Sequence, residues 1–123
     1  QKVPSLGAII NRSDYEIFLG DVIIPEEWIL EWLDSNEVTT PRQHKEGIKE
    51  IDIRPFVEKF FLNKNKLLIT IKTIEGRTAK ITEILESLLA SHGVDYRQFL
   101  VQRTAQYVVE ENKILTPFDV LPS

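Results

Sequence analysis

The chain has no cysteine and no methionine among its 123 residues, only two histidines, and no apolar run near the length of a bilayer. Without cysteine these residues hold no disulfide, no thiol nucleophile, no thiolate-bound zinc and no iron–sulfur cluster. A membrane span needs about 20 consecutive apolar residues, so no transmembrane helix is expected and no membrane partner. A cysteine-free chain fits a reducing compartment, and a cytoplasmic location is expected. His44 and His92 stand far apart, and neither has a second histidine or a carboxylate at metal-ligand spacing. Nucleophilic triads, paired catalytic carboxylates, dinucleotide-binding glycine patterns and the Walker phosphate loop are all missing. Asn11-Arg12-Ser13 fits a glycosylation sequon, but no secretory signal accompanies it. The sequence begins at Gln1; with no methionine anywhere, a piece of a larger protein is expected.

What is present belongs to one globular domain. The chain is 42% hydrophobic and 28% charged, with a net charge of −4, which argues against indiscriminate nucleic-acid binding. The signs are segregated. Asp14, Glu16, Asp21, Glu26, Glu27, Glu31, Asp34 and Glu37 run without a cation among them. From Lys59 to Lys80, six cations (Lys59, Lys64, Lys66, Lys72, Arg77, Lys80) face Glu75 alone. Two solvated surfaces would explain this; so would a basic patch for an anionic partner, with the acidic run lying elsewhere.

The periodicities give the order β-α-β-β-turn-β-α-β. Tyr15, Ile17 and Leu19 alternate as a first strand. Pro25 suits the first turn of a helix whose stripe is Trp28, Ile29, Trp32 and Leu33. Val38-Thr39-Thr40 reads as a strand halted by Pro41, then comes a polar tip from Arg42 to Gly47, then a strand around Ile51 and Ile53. Phe56 to Phe61 is apolar but ambiguous. After the Asn63–Lys66 turn, Leu67, Ile69 and Ile71 make a strand. Gly76-Arg77-Thr78-Ala79-Lys80 then opens a second helix, with Thr78 as its cap, Ile81, Ile84, Leu85, Leu88 and Leu89 as its stripe, and Gly93 as its stop. Phe99 to Val109 alternates as a last strand, with Arg103 on the apolar side. Residues 1–109 are expected to form a single α+β domain, and 110–123 a tail with little periodicity. Two amphipathic helices need one shared apolar face, so the expected architecture is a ferredoxin-like sandwich: a mainly antiparallel sheet, two helices on one face, and an extra hairpin.

Candidate contacts for an anion follow from the charges. Arg77 and Lys80 would add side-chain charge to the free N–H groups at the start of the second helix. Arg42 and Lys45 would form a basic hairpin tip, and Arg54 would be a further cation facing an anionic substrate. An ordinary capped helix and a solvated tip are the plainer explanations for the same residues.

Three stretches carry a family resemblance: Val3–Ile10 followed by Tyr15-Glu16-Ile17, then Lys49-Glu50-Ile51-Asp52-Ile53-Arg54-Pro55-Phe56, then Gln102-Arg103-Thr104-Ala105-Gln106-Tyr107. Together they resemble the C-terminal half of the radical-SAM-linked domain of unknown function, which occurs alone or fused to B12-binding-domain radical SAM proteins. The family often has a Gly-Asn-Leu-Arg-Pro-like run before its last helix; this chain has Gly76-Arg77-Thr78-Ala79-Lys80 there. The resemblance implies an accessory or substrate-recognition domain without catalysis of its own, whose partner is the radical SAM domain of a parent chain. An iron–sulfur cluster, S-adenosylmethionine and cobalamin would belong to that parent; no cofactor is expected in these residues. RNA or another anionic substrate is one expected ligand class, and a purely structural docking or self-association module is the alternative.

Overall fold

The computed structural model describes residues 11–110 and 113–115. Strand β1 (Arg12–Phe18) is followed by helix α1 (Glu26–Asp34), the hairpin β2 (Thr39–His44) and β3 (Gly47–Asp52), then β4 (Val57–Asn63) and β5 (Lys66–Lys72), helix α2 (Ile81–Leu89), β6 (Leu100–Glu110) and the short β7 (Lys113–Leu115). The main sheet has the order β4-β5-β1-β6-β7 and is antiparallel throughout, while β2 and β3 form a separate two-stranded sheet. Helix α1 lies in the connection from β1 to β4 and α2 in that from β5 to β6, and each connection passes over one intervening strand. This is the ferredoxin-like α+β arrangement with an added hairpin.

The two helical stripes and the inward row of each strand make one core. Ile17, Leu67, Ile69, Ile71 and Phe60 from the sheet meet Ile29, Trp32, Ile84, Leu85, Leu88 and Leu89 from the helices. Trp28, Leu33 and Ile81 lie half-buried at its margin. The helices are fastened to each other by Trp32 Nε1, which donates to Ser87 Oγ at 2.9 Å, and Trp32 meets Phe60 edge-on at 5.4 Å. Trp28 stacks flat on the exposed His92 at 3.6 Å, so this histidine joins the start of α1 to the end of the second helix.

Several local expectations are corrected. Pro41 does not halt β2; it pairs with Glu50 inside the hairpin. Both strands of a two-stranded ribbon have an open side, and a residue without an N–H is tolerated there. The polar tip shrinks to Lys45-Glu46, and Arg42 lies in the strand. Phe56 closes a turn of 3-10 helix (Arg54–Phe56), after which Val57–Asn63 is a strand. Gly76 and Arg77 precede the second helix instead of opening it. Ile74 and Arg77 exchange backbone hydrogen bonds of 2.8 and 2.9 Å across Glu75-Gly76. Both turn residues have positive φ, 51° and 76°, the left-handed pair that a two-residue hairpin turn requires. The helix cap is therefore Lys80, and Thr78 Oγ1 donates to Lys72 O. Gly93, at φ 72°, does end the helical region, after one 3-10 turn. The alternation of the last strand breaks at a bulge: Tyr15 pairs with Arg103 but Asp14 with Ala105. One extra residue reverses the phase beyond it, and Arg103 is exposed. Strand β7 falls in the segment expected to be an unpatterned tail.

Candidate binding face on the outer side of the sheet

Of the residues expected to attract anions, Arg42 comes to the start of α2 beside Arg77 and Lys80, while Arg54 lies at the end of α1. Arg42 reaches the start of α2 and forks onto Glu83, with Nη2 2.6 Å from Oε1 and Nε 3.2 Å from Oε2, and it also donates to Thr78 O at 3.1 Å. Glu83 in turn accepts the Lys80 backbone N–H at 2.9 Å. The helix N-terminus thus already holds an anion, supplied from its own first turn. Partial burial pushes the Glu83 carboxyl upward, but the bonds from Arg42 and the Lys80 N–H outweigh it and hold it below the usual carboxylate range. The same bond raises Arg42. Arg54 donates to Leu33 O through Nε and Nη2 (3.2 and 2.9 Å) and to Val57 O through Nη1 (3.3 Å), with its guanidinium 5.5 Å from the Trp32 ring. It caps the last turn of α1. Lys45, Arg77 and Lys80 are exposed, and Arg77 lies 3.8 Å from Glu75.

The acidic and basic runs, expected to lie apart, interleave. Strand β1 comes from the acidic run and β5 from the basic run, and the two pair directly. Lys66 Nζ lies 3.2 Å from Glu16. This follows from alternation: Ile17 points into the core, so Arg12, Asp14, Glu16 and Phe18 point out, as do Lys66, Leu68, Thr70 and Lys72 opposite buried Leu67, Ile69 and Ile71.

The outer face can therefore be written as rows across the sheet. One row is Phe61 (β4), Leu68 (β5), Glu16 (β1) and Gln102 (β6); the next is Lys59, Thr70, Asp14 and Ala105. Beyond these, Arg12 lies next to Lys72 and Tyr107, and its guanidinium binds Glu58 at 3.0 Å from the bulge of β4. A depression of about 230 Å³ opens on this face, lined by Asp14, Glu16, Lys59, Phe61, Leu68 and Thr70 among others. Thr70, 6% exposed, is its floor.

Asp14 organises the depression. Its Oδ1 accepts from Thr70 Oγ1 at 2.7 Å and from the Tyr107 hydroxyl at 3.0 Å. Both donors use the same oxygen, so among the described residues Oδ2 has no side-chain partner. Burial, then the bond to Asp14, raises the Tyr107 phenol. Phe61 and Leu100 stay 48% and 67% exposed on this side. The face thus offers carboxylate oxygen, an exposed ammonium at Lys59 and apolar surface, a mixture suited to a protein partner. No grouping among the described residues offers a metal site.

Sequence reasoning missed this face. Asp14, Thr70 and Tyr107 are 93 residues apart at the extremes, and the bulge places Tyr107 opposite to the side its alternation predicts. The polar parity of Asp14 and Thr70 against Ile17 and Ile69 was the available signal.

A family model described as an uncharacterized protein conserved in bacteria (DUF2344) matches residues 1–108. The chain belongs to this family. Nothing in the DUF2344 description names an activity or ties the family to radical SAM or cobalamin proteins, so the three resembling stretches establish a domain of unknown function and no particular parent. No curated protein and no solved structure matches the chain. No described helix is long and apolar enough to cross a membrane.

Proposed function

We propose that this DUF2344 domain is a non-catalytic accessory module that acts by protein–protein contact through the outer face of its sheet. The observation that carries the reading is that face: a sheet surface that no other described element covers, with Phe61 and Leu100 exposed beside the Asp14–Lys59 depression. The helices already cover the other side, and the family description gives no catalytic role. The parent protein in this proposal is a cytoplasmic B12-binding-domain radical SAM protein, on the strength of the three resembling stretches. Iron–sulfur cluster, S-adenosylmethionine and cobalamin would then belong to the parent's catalytic domains. The full open reading frame tests the parentage: a Cys-x-x-x-Cys-x-x-Cys run upstream supports it, and its absence there and in the adjacent reading frames overturns it.

A second reading, recognition of RNA or another anion, is favoured by the exposure of Lys45, Arg77 and Lys80. Titration of labelled RNA at low and moderate salt separates the two, with Arg77→Ala and Lys80→Ala alongside. Phosphate contacts give affinity that falls steeply with salt. The docking reading expects no such binding; salt-sensitive binding lost in both variants would displace it.

A further inference from the structure

From the charge pattern of the outer face we infer that its occupant is a second copy of this chain, related by a two-fold axis that runs along β5. The inference rests on the docking reading and names the partner.

Along one row the face reads Lys59, Thr70, Asp14, so cation and anion stand on either side of β5. Strands are about 4.8 Å apart, which puts the two charged positions about 10 Å from each other, one on each side. A two-fold axis along β5 exchanges β4 of one copy with β1 of the other. Lys59 of each copy then meets Asp14 of its mate, at the oxygen that Thr70 and Tyr107 leave unused. Arg12 and Glu58 neutralise each other within each copy. A closed contact between identical chains must be self-complementary under such an axis, and this row is. Placing the axis between β5 and β1 instead sets Lys72 against Arg12, and placing it across the strands through the Asp14 row sets Asp14 against itself. On the axis itself lies Leu68, apolar and placed to stack on its own copy, with Phe61 alongside and Thr70 recessed below them. Lys66 is neutralised by its own Glu16. The same axis sets Lys72, at the end of β5, over its own copy, the one like-charge contact that the arrangement leaves.

The absence of cysteine makes the test direct. In the purified 123-residue chain, Leu68→Cys should oxidise to a covalent dimer, while Ile48→Cys, exposed on the hairpin, should stay monomeric under the same mild oxidant. Sedimentation equilibrium should show a reversible dimer that Lys59→Glu weakens about tenfold or more, because the two-fold doubles every pair. Mixing Lys59→Glu with Asp14→Lys should restore association as a heterodimer, since each reversed charge then meets its opposite. Should Asp14→Lys fail to fold by circular dichroism, the cysteine pair decides. Leu68→Cys that cross-links no faster than Ile48→Cys, or a dimer indifferent to Lys59→Glu, overturns the inference. A monomer whose Lys59→Glu variant loses binding to a different protein overturns the second copy and keeps the docking reading. A monomer in which Lys59→Glu and Phe61→Ser alter no binding at all overturns both.

Discussion

Replacing Arg42 by alanine separates a structural role from an anion-binding one. Arg42 joins the β2–β3 hairpin to the first turn of α2 through two bonds to Glu83 and one to Thr78 O. The pair is neither exposed nor fully enclosed: the two side chains are 22% and 11% accessible. Exposed pairs contribute up to ~1 kcal/mol, and removing one partner of a fully buried pair costs about 3–5 kcal/mol. The Arg42→Ala variant should fall between, losing about 2 kcal/mol. In urea this is a midpoint shift of about 1 M, or roughly 8 °C on heating. Glu83→Ala should cost at least as much, since it also releases the Lys80 N–H. The two losses should not add, and the cycle should return about 1–2 kcal/mol of coupling.

Acid provides the check on cause. Glu83 is held below its ordinary value, so its contribution is complete above the unfolded value of about 4.3 and is lost as pH falls through the folded one. The gap between the parent chain and Arg42→Ala should therefore narrow in acid. A loss under ~0.5 kcal/mol at neutral pH, or a gap unchanged by acid, would refute the reasoning and leave Arg42 available for a ligand.

Tyr107→Phe removes one donor from Asp14 and should cost about 1 kcal/mol in urea denaturation. Because the phenol is raised, its contribution is whole below the unfolded value of about 10 and declines as pH rises through the folded one, so the parent chain should lose stability in alkali faster than Tyr107→Phe. His92→Ala should cost about 0.5–1.5 kcal/mol and change the fluorescence of Trp28, as read by thermal melts and emission spectra; an unchanged spectrum would mean the stack is not formed in solution. Gly93→Ala forces a side chain into φ 72° and should destabilise by about 1 kcal/mol, although its Cβ would meet open space; a neutral result would show that the turn relaxes.

The fold was legible where burial sets a single period. The α2 stripe needed no tertiary information, because Ile84, Leu85, Leu88 and Leu89 repeat at helical spacing and are all buried. The same holds for Leu67, Ile69 and Ile71 on β5. Errors fell where one residue changes the phase or a hydrogen bond overrides propensity. The β6 bulge reverses alternation after Arg103, and no composition signal marks it. Pro41 reads as a strand stop only if the strand is assumed to have neighbours on both sides. Gly76 reads as a helix opener only until the positive φ of Glu75 turns the pair into a hairpin turn.

The candidate sites were hidden for a different reason: charge along a chain says little about charge across a sheet. An antiparallel ladder brings residues 50 or more positions apart to within one side chain, as Lys66 and Glu16 show. The acidic run therefore contributes Asp14 and Glu16 to the very surface that the basic run supplies with Lys59, Lys66 and Lys72. A long-range field for polyanions is weakened by that mixing, since opposite charges within a Debye length of about 8–10 Å largely cancel at a distance. What survives is short-range complementarity, with cation and anion at fixed places on a partly apolar face. Such a pattern discriminates by register, so it favours a partner with an ordered surface over a flexible strand of phosphates.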